Sequence, residues 1–259
     1  MRVDVLEFNR KAWNQQSRNN GQWSVPVSDE TIAAARSGDW NVILTPLKAV
    51  PKSWFGHLTG KSVLCLASGG GQQAPVLAAA GARVVSFDLS DVQLEKDRIL
   101  AERHHLDVTC LQGDMADLSQ LEPESFDLIF HPVSNLFVPN IEIVWAQCYR
   151  VLKPKGDLLV GFMNPSMFLF DHDEAARTGK IEVTRKLPYD EAERLSEAEL
   201  HALEENGLAL EFSHSLDAQL GGQLRAGFLI SDLYEDDWDD SILFNAFSPT
   251  SVATRAKKL

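Results

Sequence analysis

A continuous apolar run, Val63-Leu64-Cys65-Leu66, leads straight into Ala67-Ser68-Gly69-Gly70-Gly71-Gln72-Gln73. A strand covered on both faces needs such an unbroken run. Three successive glycines permit positive φ and let a ligand approach the backbone. Pro75 and the small apolar residues around it predict a helix opening after the turn. A strand, a glycine turn and a helix N-terminus together form the place where α/β proteins hold nucleotide-like ligands. This one feature therefore sets both an expected fold class and an expected site.

From Lys61 onward the pattern alternates between strand and helix. Strands are predicted at Ser62–Ala67, Arg83–Asp88, Asp107–Gln112, Phe126–His131 and Asp157–Met163. A helix over about Asp91–Arg103 is expected to pack with Val92, Ile99 and Leu100 on its inner face. A second one puts Ile141, Val144, Trp145, Cys148 and Leu152 on one stripe and is stopped by Lys153-Pro154-Lys155-Gly156. After Pro165 the alternation lapses. Residues 166 to 206 suggest a strand at Ile181–Leu187 and a helix near Ser196–Glu205. Regularity returns with a helix at about Leu216–Ala226 and strands at Gly227–Tyr234 and Thr250–Arg255. Repeated units of this length predict a mostly parallel sheet with helices on both faces. Four segments are expected: a preface over 1–60, a core over 61–165, an insertion over 166–215 and the end of the sheet over 216–259.

Composition narrows the partners. The chain has 259 residues, 44% hydrophobic and 24% charged, with a net charge of −13. An acidic chain argues against nucleic acid. Residues 171 to 240 carry 19 Asp and Glu against 6 Lys and Arg, a difference of −13 that equals the whole excess. The first twenty residues show no signal-type apolar core, and no run suits a membrane span, so a cytoplasmic location is expected. Cys65, Cys110 and Cys148 fall inside predicted elements and read as buried thiols, without disulfide or zinc spacing. No metal is expected.

Gly69-Gly70-Gly71-Gln72-Gln73-Ala74 fits G-x-G-x-x-[G/A], and Asp88 ends the second strand 19 residues after Gly69. That pattern suits any adenosine cofactor, dinucleotide or otherwise. Strand three ends Gln112-Gly113-Asp114-Met115. With Phe87-Asp88-Leu89-Ser90, Phe126-Asp127-Leu128-Ile129 and Tyr149 to Gly156, the chain resembles the class I S-adenosylmethionine-dependent methyltransferases, the small-molecule branch most closely. The resemblance runs over about 61–165 and resumes over about 214–255. It implies a Rossmann-like seven-stranded, mostly parallel sheet with an antiparallel last strand, an N-terminal helical preface and an inserted cap.

The resemblance also implies roles. Ala67, Ser68, Gly69 and Gly71 would pass close to the methionine part of S-adenosylmethionine. Asp88, followed by Leu89, would accept from the ribose hydroxyls, and Asp114 from the adenine amino group. Met115 would offer its N–H to the ring. Cys65 stands where the family carries an acid, and Ala67 where it carries its first glycine. The cofactor's amino group must then find another partner, such as Ser68.

The acceptor side is less defined. His131 ends strand four, where this fold faces its crevice, so it is a candidate general base or a hydrogen-bond partner of the cofactor. Trp13, Trp23, Asn135 and Phe137 are candidates for the acceptor pocket, with plain packing the competing account for the tryptophans. The run Asp232 to Asp240 reads as a solvated loop or as an acidic cap that attracts a cationic or amine-bearing acceptor. A small-molecule methyltransferase is the leading expectation. A non-catalytic cofactor-binding regulator would show a blocked acceptor crevice. An NAD-dependent dehydrogenase would show six parallel strands and leave Gly113-Asp114-Met115 without a role.

Overall fold

The computed structural model describes residues 3–239 and 241–259. Seven strands form one sheet: β1 (Ser62–Leu66), β2 (Arg83–Asp88), β3 (Val108–Gln112), β4 (Phe126–His131), β5 (Leu152–Met163), β6 (Phe228–Asp236) and β7 (Ser251–Lys258). Their order is β3-β2-β1-β4-β5-β7-β6. β1 to β5 pair in parallel, and β7 runs antiparallel to both β5 and β6. The chain order reverses between β1 and β4, which opens a crevice beyond their carboxyl ends. The dinucleotide alternative required six parallel strands, and the antiparallel β7 excludes that sheet.

The helices are α1 (Val5–Arg18), α2 (Asp29–Arg36), α3 (Gln73–Ala79), α4 (Asp91–His104), α5 (Ile141–Val151), α6 (His172–Thr178), α7 (Glu191–Arg194), α8 (Glu197–Asn206) and α9 (Gly222–Ala226). Side-chain oxygens start several of them, Ser28 for α2, Ser90 for α4 and Asn140 for α5, satisfying amides that the first turn leaves free.

Each face of the sheet has its own core, as period-two strands require. Val63, Cys65, Leu128 and Phe130 pack with Ile32, Trp54, Phe55 and Leu77 on one side. Leu64, Leu66, Ile129 and Val160 pack with Val144, Trp145 and Cys148 on the other. The preface thus supplies part of the first core, with Phe55 stacked on Phe130 at 6.1 Å. It also crosses the sheet so closely that a Cβ on Gly161 would sit 2.0 Å from the Leu44 carbonyl oxygen.

Several local expectations change. The segment Ile181–Leu187 is not a strand; it follows irregular backbone, held where Thr184 and Arg185 donate to the Leu169 carbonyl. α5 ends at Val151, directly before Lys153-Pro154-Lys155-Gly156, and β5 starts already at Leu152, so Leu152 leaves the helical stripe and that run belongs to the strand. The late helix is a π-turn over Asp217–Gly221 followed by α9. Finally, α4 buries Gln93, Leu94, Asp97, Leu100 and Ala101, while Ile99 is exposed. Its inner face therefore carries two polar side chains that the apolar pattern concealed.

Among the described residues no helix is long and apolar enough to cross a membrane, and no group of three or more His, Cys, Asp or Glu is placed to hold a metal ion. The three thiols are free, and burial pushes those of Cys110 and Cys148 up to about 12.

Candidate active site

The turn after β1 is held in an uncommon shape. Ala67 has φ +49, Gly70 +113 and Gly71 +79. Ala67 therefore keeps the left-handed conformation that a glycine would adopt there more cheaply. Its N–H donates to the Phe87 carbonyl at 2.7 Å. The Asp88 carboxylate accepts from Gly69 N at 3.0 Å and Ser90 N at 2.8 Å, tying the turn to the end of β2. Burial raises the Asp88 pKa, and those N–H groups oppose the rise. Behind the turn, Asp97 accepts from Gly71 N at 2.8 Å and from Ser86 Oγ at 2.6 Å. Its carboxyl is fully buried and pushed up to about 7.

The N-terminal segment clamps the turn from outside. Val27 donates to the Gly71 carbonyl at 2.8 Å, and Gln72 Nε2 donates to the carbonyls of Gln22 and Val25. These bonds bring Trp23 over the crevice, where it meets Trp238 edge-to-face at 5.9 Å.

One cavity of about 830 Å³ runs from this turn to the opposite rim. Its near end is lined by Ala67, Ser68, Gly69, Asp88, Leu89, Asp114 and Met115. Asp114 Oδ1 accepts from Ala116 N at 2.9 Å, which fixes the loop after β3. The Gly113-Asp114-Met115 turn thus faces the same space as the glycine turn. Trp13, Trp23 and Phe137 line the cavity farther along, with Trp13 edge-on to Phe137 at 5.1 Å. A smaller depression of about 390 Å³ beside α1, lined by Arg10, Lys11 and Glu204 among others, has none of these residues in its wall.

Three expected residues stand outside this space. Gly71 turns away, and a Cβ there would lie 2.8 Å from Pro26. His131 is 0% exposed and points to the α5 side, its ring 6.3 Å from Trp145. Strand alternation explains this: Ile129 packs on that face, so the residue two further on does too. His131 Nδ1 donates to the Leu66 carbonyl at 2.9 Å, and burial lowers its pKa to about 4. A neutral imidazole without access to the cavity is a structural group, not a general base. Asn135 is likewise 0% exposed. Its carboxamide exchanges two 3.2 Å bonds with Gln219, and its carbonyl accepts from His214 at 3.1 Å. It locks the loop after β4 to the π-turn instead of facing an acceptor.

The acidic run is also reassigned. Asp232 accepts from Trp54 Nε1, and the buried Asp236 accepts from Leu47 and Lys48 N–H groups, pinning the preface to the sheet edge. Trp238 alone of residues 232–239 lines the cavity, and Asp240 lies outside the described residues.

The sequence reading missed the charged far end. Asp171, Arg185, Glu191 and Glu211 all line the cavity there. Arg185 pairs with Asp171 at 2.7 Å and lies over the Tyr189 ring at 4.8 Å. Glu191 Oε2 accepts from Glu211 N at 2.8 Å. The Glu211 carboxyl makes no hydrogen bond among the described residues. Burial first, then the Glu191 charge, push it up to about 8, against the pull of Arg185. No local motif announces this pair, because the chain returns through irregular backbone to place them together.

At the near end, the donors and acceptors suit an adenosine cofactor with an amino-acid tail. Asp88 and Asp114 provide acceptors, and two buried polar atoms, Ser68 Oγ and Gln93 Oε1, have no hydrogen-bond partner among the described residues. Sheet order, glycine turn and cavity together define the class I S-adenosylmethionine-dependent methyltransferases.

Comparison with known proteins agrees. Residues 64–160 match the family described as Methyltransferase domain. The uncharacterized methyltransferase YbaJ of Bacillus subtilis (strain 168) is 46% identical over 255 residues, 98% of this chain and 99% of its own length. The chain belongs to this family of S-adenosylmethionine-dependent methyltransferases. A ubiquinone biosynthesis O-methyltransferase of Hahella chejuensis is 34% identical over 115 residues, 44% of this chain and 48% of its own. Among solved structures, geranyl diphosphate C-methyltransferase from Streptomyces coelicolor A3(2), determined with S-adenosyl-L-homocysteine, has a TM-score of 0.60 at 14% identity over 99% of both chains. An S-adenosylmethionine-dependent methyltransferase from Mesorhizobium loti also has 0.60, at 19% identity over 80% of this chain and 94% of its own. At these identities the structural likeness shows the shared fold.

Proposed function

We propose that this enzyme methylates a small-molecule acceptor bearing a protonated amine, with Glu211 as the group that takes its proton. The observation that carries this reading is the single cavity joining the glycine turn to the Glu191–Glu211 pair. A cavity of about 830 Å³ lies within the range of roughly 300–1,000 Å³ usual for small-molecule sites. When bound, the cofactor supplies a methyl group on a sulfonium, already a strong electrophile. The chain's own tasks are then to align, to dry the site and to manage one proton.

Residues 1–60 and 166–215 are assigned as the acceptor-side walls. Trp13, Trp23, Phe137 and Trp238 offer aromatic faces that attract an organic cation. An ammonium docked at Glu211 stabilises the carboxylate form of that side chain. Transfer of one N–H proton to Glu211 leaves the nitrogen lone pair free for in-line attack on the methyl carbon. The bound cofactor would supply its methyl group to that lone pair and would leave as the neutral thioether. Ala67, Ser68, Gly69, Asp88, Leu89, Asp114 and Met115 are assigned to the cofactor. Gly71 and His131 are assigned to supporting the turn and the strand end.

The test uses methyl-labelled S-adenosylmethionine with a cell extract separated by size and charge. Label is expected in small molecules retained on a cation exchanger. Label confined to protein, nucleic acid or anionic metabolites would end the reading.

A further inference from the structure

After α1 the N-terminal segment roofs the cavity with Gly21, Gln22, Trp23 and Ser24. The roof presses on the glycine turn, since a Cβ on Gly70 would sit 2.8 Å from the Trp23 carbonyl oxygen. α1 itself is docked on the start of α4. Ser90 Oγ donates to Asn14 Oδ1 at 2.6 Å, and Asn14 Nδ2 donates to the Asp91 carboxylate at 2.8 Å. Beyond that dock the roof needs a fastening of its own. Ser17 and Ser24 are fully buried, yet neither hydroxyl has a hydrogen-bond partner among the described residues. Buried hydroxyls left unpaired weaken a segment rather than hold it.

One side chain supplies the fastening. Lys96 Nζ donates to the Ser17 carbonyl at 2.7 Å, to Asn20 Oδ1 at 2.9 Å and to the Ser24 carbonyl. An ammonium has three N–H donors and no acceptor, so all three go to the roof. Bonds from a charged donor are the stronger kind. The acceptors come from the last turn of α1, from Asn20 with φ +51 and from the residue after Trp23. Lys96 therefore closes the 19–24 loop onto α4 at both of its ends. Gln72, donating to the carbonyls of Gln22 and Val25, holds the same loop from the start of α3. Gln72 lines the cavity, whereas Lys96 stands outside its wall.

We propose that Lys96 is a positioning residue: it latches the 19–24 loop, with Trp23, over the cavity, and its release sets how fast the cofactor end exchanges its ligand. The inference rests on the assignment of the near end to the cofactor. It adds a residue that touches neither ligand nor reacting atoms and acts through the loop that carries Trp23. Closure of the loop excludes water from the cofactor end, and its opening becomes a step in each exchange. A latch outside the wall changes entry and release together. A residue that contacts the ligand changes chiefly its release.

Stopped-flow binding of S-adenosylhomocysteine separates the latch from a structural role. Lys96→Met keeps an apolar stem and removes the three donors. Association and dissociation should both become about tenfold faster, with Kd within about twofold of wild type. Lys96→Arg returns the charge and the donors, and should recover part of the slow exchange. Asn20→Gly keeps the positive φ accessible and removes one acceptor of the three. Both of its rates should rise by about threefold, so it serves where the methionine variant fails to fold. Wild-type exchange rates in Lys96→Met and Asn20→Gly, whatever their melting temperatures, would reduce Lys96 to a structural anchor and overturn the latch. A change in Kd carried by dissociation alone would make Lys96 a binding residue and overturn it equally. Unchanged affinity for S-adenosylhomocysteine in Asp88→Ala would instead take the cofactor away from this end of the cavity, and the latch with it.

Discussion

The two ends of the cavity are built by different means. The cofactor end comes from turns that directly follow β1, β2 and β3, and is fixed largely by hydrogen bonds to backbone amides, such as Asp88 with Gly69 and Ser90. The acceptor end joins α1, the loop after β4 and the cap. Asn9 there bridges the Phe137 carbonyl, 128 residues away, and both backbone groups of Leu210, 201 residues away. A site made of turns that follow adjacent strands takes most of its geometry from the sheet, with the clamp of Gln72 on the Gln22 and Val25 carbonyls as the N-terminal segment's share. A site made of distant segments depends on long-range closure, and can change its acceptor without disturbing the cofactor. Substitutions at one end should therefore leave binding at the other end unchanged.

The largest expected effect is at the acceptor end. Glu211→Gln removes the proposed proton acceptor, and turnover should fall by about 10²–10⁴-fold. Calorimetry should show unchanged affinity for S-adenosylmethionine. The variant also carries a stability signature. A half-buried carboxyl raised to about 8 binds its proton in the folded state over a range where the unfolded chain has released it. Its contribution to stability therefore declines as pH rises from the ordinary carboxyl range through about 8. Glu191 and Arg185 act on this group, with Asp171 paired to Arg185, and Asp97, raised to about 7, adds a parallel slope of its own. Denaturant midpoints of Glu211→Gln should fall less steeply with pH than those of wild type. A wild-type rate or an unchanged slope would remove Glu211 from the mechanism.

At the cofactor end, Asp88→Ala should weaken cofactor binding by about 1–3 kcal/mol, the cost of losing a buried charged partner. The same variant frees the N–H groups of Gly69 and Ser90, so part of the loss reflects a loosened turn. Once cofactor is saturating, the acceptor KM should stay at its wild-type value. A changed acceptor KM would break the independence of the two ends.

This independence also explains what the sequence reveals. β1, its glycine turn, Asp88 and Asp114 are legible because strand period, positive φ and carboxylate spacing are local constraints. The inner face of α4 is not. Asp97 is buried where its carboxylate accepts from Gly71 N, and Gln93 is buried against Gly69 and Gly70, while Ile99 faces water. Apolar periodicity assigns the wrong stripe to a helix whose burial serves a site. His131 misleads for a related reason: the end of a strand lies at the crevice, but alternation decides whether its side chain enters. The cap is least legible, since Arg185, Glu191 and Glu211 converge through irregular backbone in a region of mixed charge.

A smaller effect tests the aromatic wall. Trp13→Leu removes the edge contact with Phe137 and one cavity face. Acceptor KM should rise by about threefold to tenfold, in line with the roughly 0.5–1.5 kcal/mol of an aromatic pair. Neither kcat nor cofactor affinity should move. A change in cofactor affinity instead would place Trp13 in the turn's clamp, with Trp23, rather than in the acceptor wall.

The smallest effect on rate is expected at His131, the residue whose position at the end of β4 most suggests a base. His131→Gln keeps a donor near the Leu66 carbonyl and removes the ring. Stability should drop by about 1 kcal/mol for imperfect packing and a weakened buried hydrogen bond. The rate at saturating cofactor should stay within about twofold, because no proton passes through a neutral imidazole shut beneath the crevice. The pH profile separates the two roles. The His131 pKa is lowered to about 4, so its contribution to stability is lost as pH falls from the ordinary imidazole range through that value, and it leaves no limb in the rate between pH 6 and 8. The substitution should therefore lower the midpoint of unfolding and leave the pH–rate curve where it was. A shifted curve would return His131 to the chemistry and leave Glu211 as a binding group for the acceptor's charge.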